Sequence, residues 1–148
     1  MRLALIYPLS VNPWLAEAAA MIHQRQTLPN GWTLVLVDSI TQLDASDDGC
    51  VVVTGSHGGA SSTAFALQHR PRLACFNDAG VGKDQAGILA LQRFEDQGLP
   101  CVTVSHESAR IGDALDAWAH GVISHVNRSA AQRGLHTGMR LQEALRAL

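Results

Sequence analysis

Lysine is almost absent from this sequence. Of its eleven basic residues only Lys83 is lysine; the other ten are arginine. Basic charge of either kind is also scarce, and the net charge is −2 with a pI near 6.3. A nucleic-acid-binding face, which needs clustered Lys and Arg, is not implied. Cysteine is equally sparse. Cys50, Cys75 and Cys101 are odd in number and contain no CxxC pair, which argues against a disulfide framework and a zinc ribbon. Each lies in or beside an expected strand, where a thiol serves as a small hydrophobe. No apolar run approaches the roughly 20 residues that span a bilayer. Met1–Ala4 does not read as a signal peptide, so a soluble, cytoplasmic chain without membrane partners is expected.

Several catalytic signatures are missing as well. No GxGxxG follows the first expected strand, no GxSxG elbow exists, and no HExxH is present. Gly80-Val81-Gly82-Lys83-Asp84 invites a phosphate-loop reading. That fingerprint needs Gly where Asn77 stands and Ser or Thr where Asp84 stands. No cofactor is therefore expected. His57, His106, His125 and Asp78 could gather a metal, but their spacing matches no compact ligand motif, and no metal is expected either.

What remains is 148 residues, 47% of them hydrophobic, enough for one domain with a real core, residues 1–148. Short apolar runs alternate with helical patterns. Strands are expected at Leu3–Tyr7, Trp32–Val37, Val51–Thr54, Leu73–Phe76 and Cys101–Val104. A helix capped by Asn12, with Pro13 at its first position, runs through Trp14, Leu15, Ala18, Ala19 and Ile22. Pro29-Asn30-Gly31 reads as a turn, and the acidic stretch with Asp38, Asp44, Asp47 and Asp48 as a solvated loop. Later helices carry Phe65 to Leu67 behind a cap at Ser61, Ser62 or Thr63; Ile88, Leu91 and Phe94; and Leu115 and Trp118. Val122–Gln132 reads as a helix, or as a short strand plus a helix, and Thr137 as the cap of a last helix with Leu141, Leu145 and Leu148 on one side. This alternation predicts an α/β fold, a three-layer sandwich with a mainly parallel five-stranded sheet of flavodoxin- or Rossmann-like type and strand order 2-1-3-4-5.

In such sheets ligands bind beyond the carboxyl ends of the strands. The stretch Cys50–Thr63, CVVVTGSHGGASST, has the composition of a buried strand that ends in a glycine loop and opens a helix. His57 is the one ionisable side chain of its glycine loop and the first candidate for proton transfer; the alternative is an imidazole that satisfies a loop hydrogen bond. Backbone N–H groups around Ser56, Gly58 and Gly59 can meet developing negative charge. Asp78 can orient His57, and Asn77 can donate to an oxyanion; both also suit a turn. Lys83 and Arg110 can hold an anionic group, although Asp84 and Asp113 offer each a local partner. Ser105 and His106 follow the last expected strand and complete the candidate set. Ser124, His125 and Asn127 read as a structural or interface group.

The pieces VVVTGSHGG, LACFNDAG and VTVSHES, over about residues 50–105, resemble the caspase-like peptidase fold, including its CHAT and legumain branches. The resemblance implies a three-layer α/β architecture with His57 at the catalytic His. It puts the nucleophile position at Asn77 or Asp78, where this chain lacks the family's Cys, with Cys75 two or three residues earlier.

Two kinds of function follow as expectations. One is a hydrolase, lyase or isomerase that acts on a small polar or anionic metabolite by His-based acid–base chemistry, with His57, Asp78 and His106 as its reacting groups. The other is a non-catalytic ligand-binding or scaffold domain of degenerate caspase-like type. Trp14, Trp118 and the apolar side of the last helix could also form a homo-oligomer interface.

Overall fold

The computed structural model describes residues 21–148. The strand expected at Leu3–Tyr7 and the helix start at Asn12 and Pro13 lie outside those residues. Ile22, expected to end that helix, instead leads into a strand. The described chain is a mixed six-stranded sheet in the order β1-β2-β3-β4-β5-β6. The strands are β1 His23–Thr27, β2 Thr33–Val37, β3 Val51–His57, β4 Leu73–Asn77, β5 Cys101–Val104 and β6 Ile123–Val126. The helices are α1 Ala60–Gln68, α2 Leu89–Glu95, α3 Ala114–His120, α4 Arg128–Ala131 and α5 Leu141–Arg146.

The four central strands β2 to β5 are parallel and the two outer strands are antiparallel. Side chains alternate across the sheet and split the core in two. Leu34, Leu36, Val51, Val53, Cys75, Val102 and Val104 join one cluster with Trp118, Leu141 and Leu145 of the C-terminal helices. Val35, Val37, Val52, Ala74, Phe76 and Cys101 join the other with Ala66 and Phe94 of α1 and α2. Phe76 and Phe94 meet edge to face with ring centres 5.9 Å apart, a geometry that suits the ring quadrupoles.

The expected strand order is corrected. β2 pairs directly with β3, Leu34 opposite Val51 and Val37 opposite Thr54, so no strand separates them. From β2 to β5 each strand is laid beside the last in one direction. Right-handed crossovers then put every connection on a single face, and α1 and α2 both lie there. Among the described strands the order never reverses, so they form no switch point.

β1 is the element that apolar patterning misses. Its sequence is HQRQT and all five side chains are exposed, so only its ladder with β2 marks it as a strand. It also revises the acidic stretch. Asp47 is fully buried and pairs with Arg25 and His23, both from β1. Two 3-10 turns, Ile40–Gln42 and Ala45–Asp47, each closed by a capping box, fill this connection and send Ile40 into the core.

Three further details differ from expectation. Gly59, not a hydroxyl residue, precedes α1, and Thr63 turns inward to donate to the Gly59 carbonyl at 2.6 Å. Val122–Gln132 resolves into β6 and α4. The last helix begins at Leu141 rather than after Thr137, because the preceding chain pairs alongside β6: Gly138 donates to Ile123, and Ile123 to Met139. Trp118, Leu141 and Leu145 are buried in the chain's own core rather than presented at its surface, and Trp14 lies outside the described residues. No helix among the described residues is long and apolar enough to cross a membrane.

Candidate functional site

The carboxyl ends of β3, β4 and β5 bring most of the candidate residues to one rim. At its centre Asp78 follows β4 directly and is 5% exposed. Its Oδ1 accepts from the Gly80 N–H at 2.8 Å, the His106 N–H at 3.1 Å and His106 Nδ1 at 3.2 Å. Burial raises the Asp78 pKa, but the hydrogen bonds that the carboxyl accepts, those from Gly80 and His106 among them, outweigh it and hold the carboxyl below its ordinary value. Asp78 is therefore ionised near neutrality and can only accept. Nδ1 of a neutral His106 must then carry the proton, and Nε2 presents a lone pair. The His106 side chain is 48% exposed, so that nitrogen is open to a ligand.

His57 is arranged in the opposite sense. It is exposed, and its Nδ1 accepts from the Gly59 N–H at 3.0 Å. The neutral ring then carries its proton on Nε2 and offers a donor. No hydrogen bond joins His57 to Asp78 among the described residues; the carboxylate serves His106. Gly59 is fixed by the same contact, since a Cβ there would lie 2.4 Å from the imidazole.

Other candidates are committed to the scaffold. Asn77 is 1% exposed; its Nδ2 donates to the Ala109 carbonyl and its Oδ1 accepts from the Ala79 N–H, each at 2.9 Å. Ser56 Oγ accepts from the Ile40 N–H. The Gly58 N–H is shared between the carbonyls of Asn77 and Gly87. Ser105 Oγ accepts from Glu107, and Arg110 pairs with Asp113 at 3.3 Å. Lys83 lies exposed on the loop after Asp78, with no salt bridge among the described residues.

That loop is strained. Ala79, Val81, Asp84 and Gln85 all have positive φ, as do Gly80 and Gly82. A β-branched residue at φ 69° is rare. Val81 is held there by its N–H to the Asp78 carbonyl and by its own carbonyl to Gly87, both at 2.7 Å. Gly87 cannot be larger, because a Cβ would sit 2.4 Å from the Asp78 carbonyl oxygen. Such outliers persist where neighbours over-determine them, often at functional sites.

Patterning misses Thr103 and ranks Ser124 and His125 as structural. Thr103 is fully buried in β5, and its Oγ1 lies 2.8 Å from Ser124 Oγ and 3.1 Å from His125 Nδ1. A lone hydroxyl in the strand CVTV was the available signal. Asn127 is structural: its Oδ1 accepts from Ala130 and Cys101 while Nδ2 donates to Leu99 and Leu91. An open cleft of about 500 Å³ runs between α2 and β6, lined by Gln85, Ile88, Leu91, Gln92, Glu95 and Arg128 among others.

No thiol is a candidate nucleophile. Cys75 and Cys101 are buried, and burial pushes both pKa values up. Desolvation also raises that of Cys50. Away from the rim, His23, Asp44 and Asp47 bring potential metal ligands within 4.8 Å of one another. The Arg25 guanidinium already bonds the Asp47 carboxylate there, setting a positive charge where a cation would sit. The chain matches no protein-family model, no curated protein and no solved structure.

Proposed function

We propose that this chain is a small soluble enzyme, a hydrolase, lyase or isomerase, that acts on a small polar or anionic metabolite through His106. The observation that carries the reading is the Asp78–His106 pair at the sheet's carboxyl edge. The carboxylate fixes the imidazole in the tautomer that exposes Nε2 as a base. His106 takes the substrate proton, and Asp78 stabilises the imidazolium that forms. His57 offers a donor N–H from the same rim. Lys83 supplies a cation for an anionic group, since Arg110 is engaged by Asp113. The strained loop that carries Lys83 follows Asp78 directly, which ties substrate contact to the orienting carboxylate.

The alternative is a ligand-binding or scaffold domain without chemistry. The inward commitment of Asn77, Ser56 and Gly58, together with buried thiols, favours it. Turnover of a panel of small carboxylates and phosphorylated compounds separates the two. Turnover by the wild type that disappears in His106→Asn supports the enzyme; a thermal shift with an anion and no turnover supports the binding domain.

A further inference from the structure

Three large apolar side chains stand exposed among the described residues, and one aspartate gathers them. Met21, Ile111 and Leu115 are 45%, 55% and 43% exposed. Met21 is remote in sequence from the other two. Asp38, which follows β2 directly, joins them. Its Oδ2 accepts from the Ile22 N–H and its Oδ1 from the Ala114 N–H, each at 2.9 Å. The Asp38 N–H donates in turn to the Ile22 carbonyl.

Gly55 ties the same joint a second time. Its carbonyl accepts from the Gly112 N–H at 2.7 Å. A Cβ on Gly55 would lie 2.4 Å from the Asp113 nitrogen and 2.7 Å from the Asp38 carbonyl oxygen, so both strands of backbone crowd that glycine. Met21 adjoins Ile22, Ile111 adjoins Gly112 and Leu115 adjoins Ala114. The three exposed residues therefore cluster at the carboxyl ends of β2 and β3, on the side where Ile22 and Ala114 meet one core cluster.

A lone apolar side chain at a surface is ordinary, whereas a cluster marks a docking surface. The chain itself supplies an occupant. The described residues begin at Met21, inside the patch. In the sequence just before it Trp14, Leu15, Ala18 and Ala19 recur at helical spacing. An apolar stripe of that kind needs an apolar surface to bury against. Trp14 lies only seven positions before Met21, a reach of up to about 25 Å. We propose that residues 13–20 of this chain, led by Trp14, dock on Ile111 and Leu115 and cap the carboxyl ends of β2 and β3. The proposal is independent of the chemistry assigned to His106. A second copy of the chain is the rival occupant.

NMR of the full chain, methyl-labelled at isoleucine and leucine, tests the contact directly. The expected result is cross-peaks from the Trp14 ring to methyl groups of Ile111 and Leu115. In a sample that mixes labelled and unlabelled chains, those cross-peaks should arise within one chain. The double variant Ile111→Ser/Leu115→Ser changes only exposed side chains, so its amide spectrum should stay dispersed while the Trp14 indole signal moves. No cross-peak from Trp14 to either methyl-bearing residue in the wild type would overturn the proposal. So would cross-peaks that arise only between chains, which would make a second copy the occupant. A Trp14 indole signal indifferent to the double variant would overturn it as well.

Discussion

Replacing Asp78 with Asn removes a charge and little else. The amide oxygen can still accept from the Gly80 N–H, the His106 N–H and His106 Nδ1, all of which meet one oxygen in the native protein. What disappears is the ionic share of those bonds. Hydrogen bonds to a charged partner contribute about 1.5–3 kcal/mol each against about 0.5–1.5 for neutral ones. Three bonds crowded on one oxygen do not add fully, so Asp78→Asn should cost about 2 kcal/mol at pH 7. The pH dependence carries the sharper test. The folded carboxyl titrates below its ordinary 3.8. Its stabilisation is then fully present above about pH 4–5 and is lost as pH falls through the folded value. Urea denaturation of both proteins from pH 7 to pH 3 should show the gap between them narrowing toward acid. A gap that stays constant or widens would mean that Asp78 is not held ionised by its partners, and the direction assigned to every bond around it would fail.

Phe94→Ala should destabilise by about 3–5 kcal/mol by urea titration, because it empties the space beside Phe76 between α2 and the sheet. Gly55→Ala should be at least as costly, about 3 kcal/mol or more. A Cβ there would lie 2.4 Å from the Asp113 nitrogen and 2.7 Å from the Asp38 carbonyl oxygen, both backbone atoms. Thiol titration of the native protein near pH 8 should find Cys75 and Cys101 silent and Cys50 slow, with all three free once the chain unfolds.

The fold was legible wherever burial is periodic. Thr33–Val37, Val51–His57, Leu73–Asn77 and Cys101–Val104 each contain a short run of apolar residues, as strands covered on both faces should. His23–Thr27 was illegible for the same reason: an exposed edge strand made of polar residues has no hydrophobic period to read. Strand order was missed because pattern alone says nothing about which parallel neighbour a crossover reaches. The rim was predictable from the loops that follow the strands, but the partners within it were not. Asp78 lies 21 residues from His57 and 28 from His106, and only the sheet order and the turn after β5 decide which ring it meets. Arg110 resolved to its local partner Asp113, as its spacing allowed. Thr103 and Ser124 became visible only through the register shift between β5 and β6, which no residue type announces.

The most direct test of the account compares His106→Asn with His57→Asn, each against the wild type, on a small anionic compound that the wild type turns over. His106 is half exposed and gives up one bond from its ring to Asp78, so the variant should fold with a melting temperature close to that of the wild type. The account predicts that His106→Asn loses at least a hundredfold in kcat, in the range of a removed general base. His57→Asn, whose amide still offers an N–H, should retain far more. Full activity in His106→Asn, or loss confined to His57→Asn, would contradict the assignment of the Asp78–His106 pair as the reacting group.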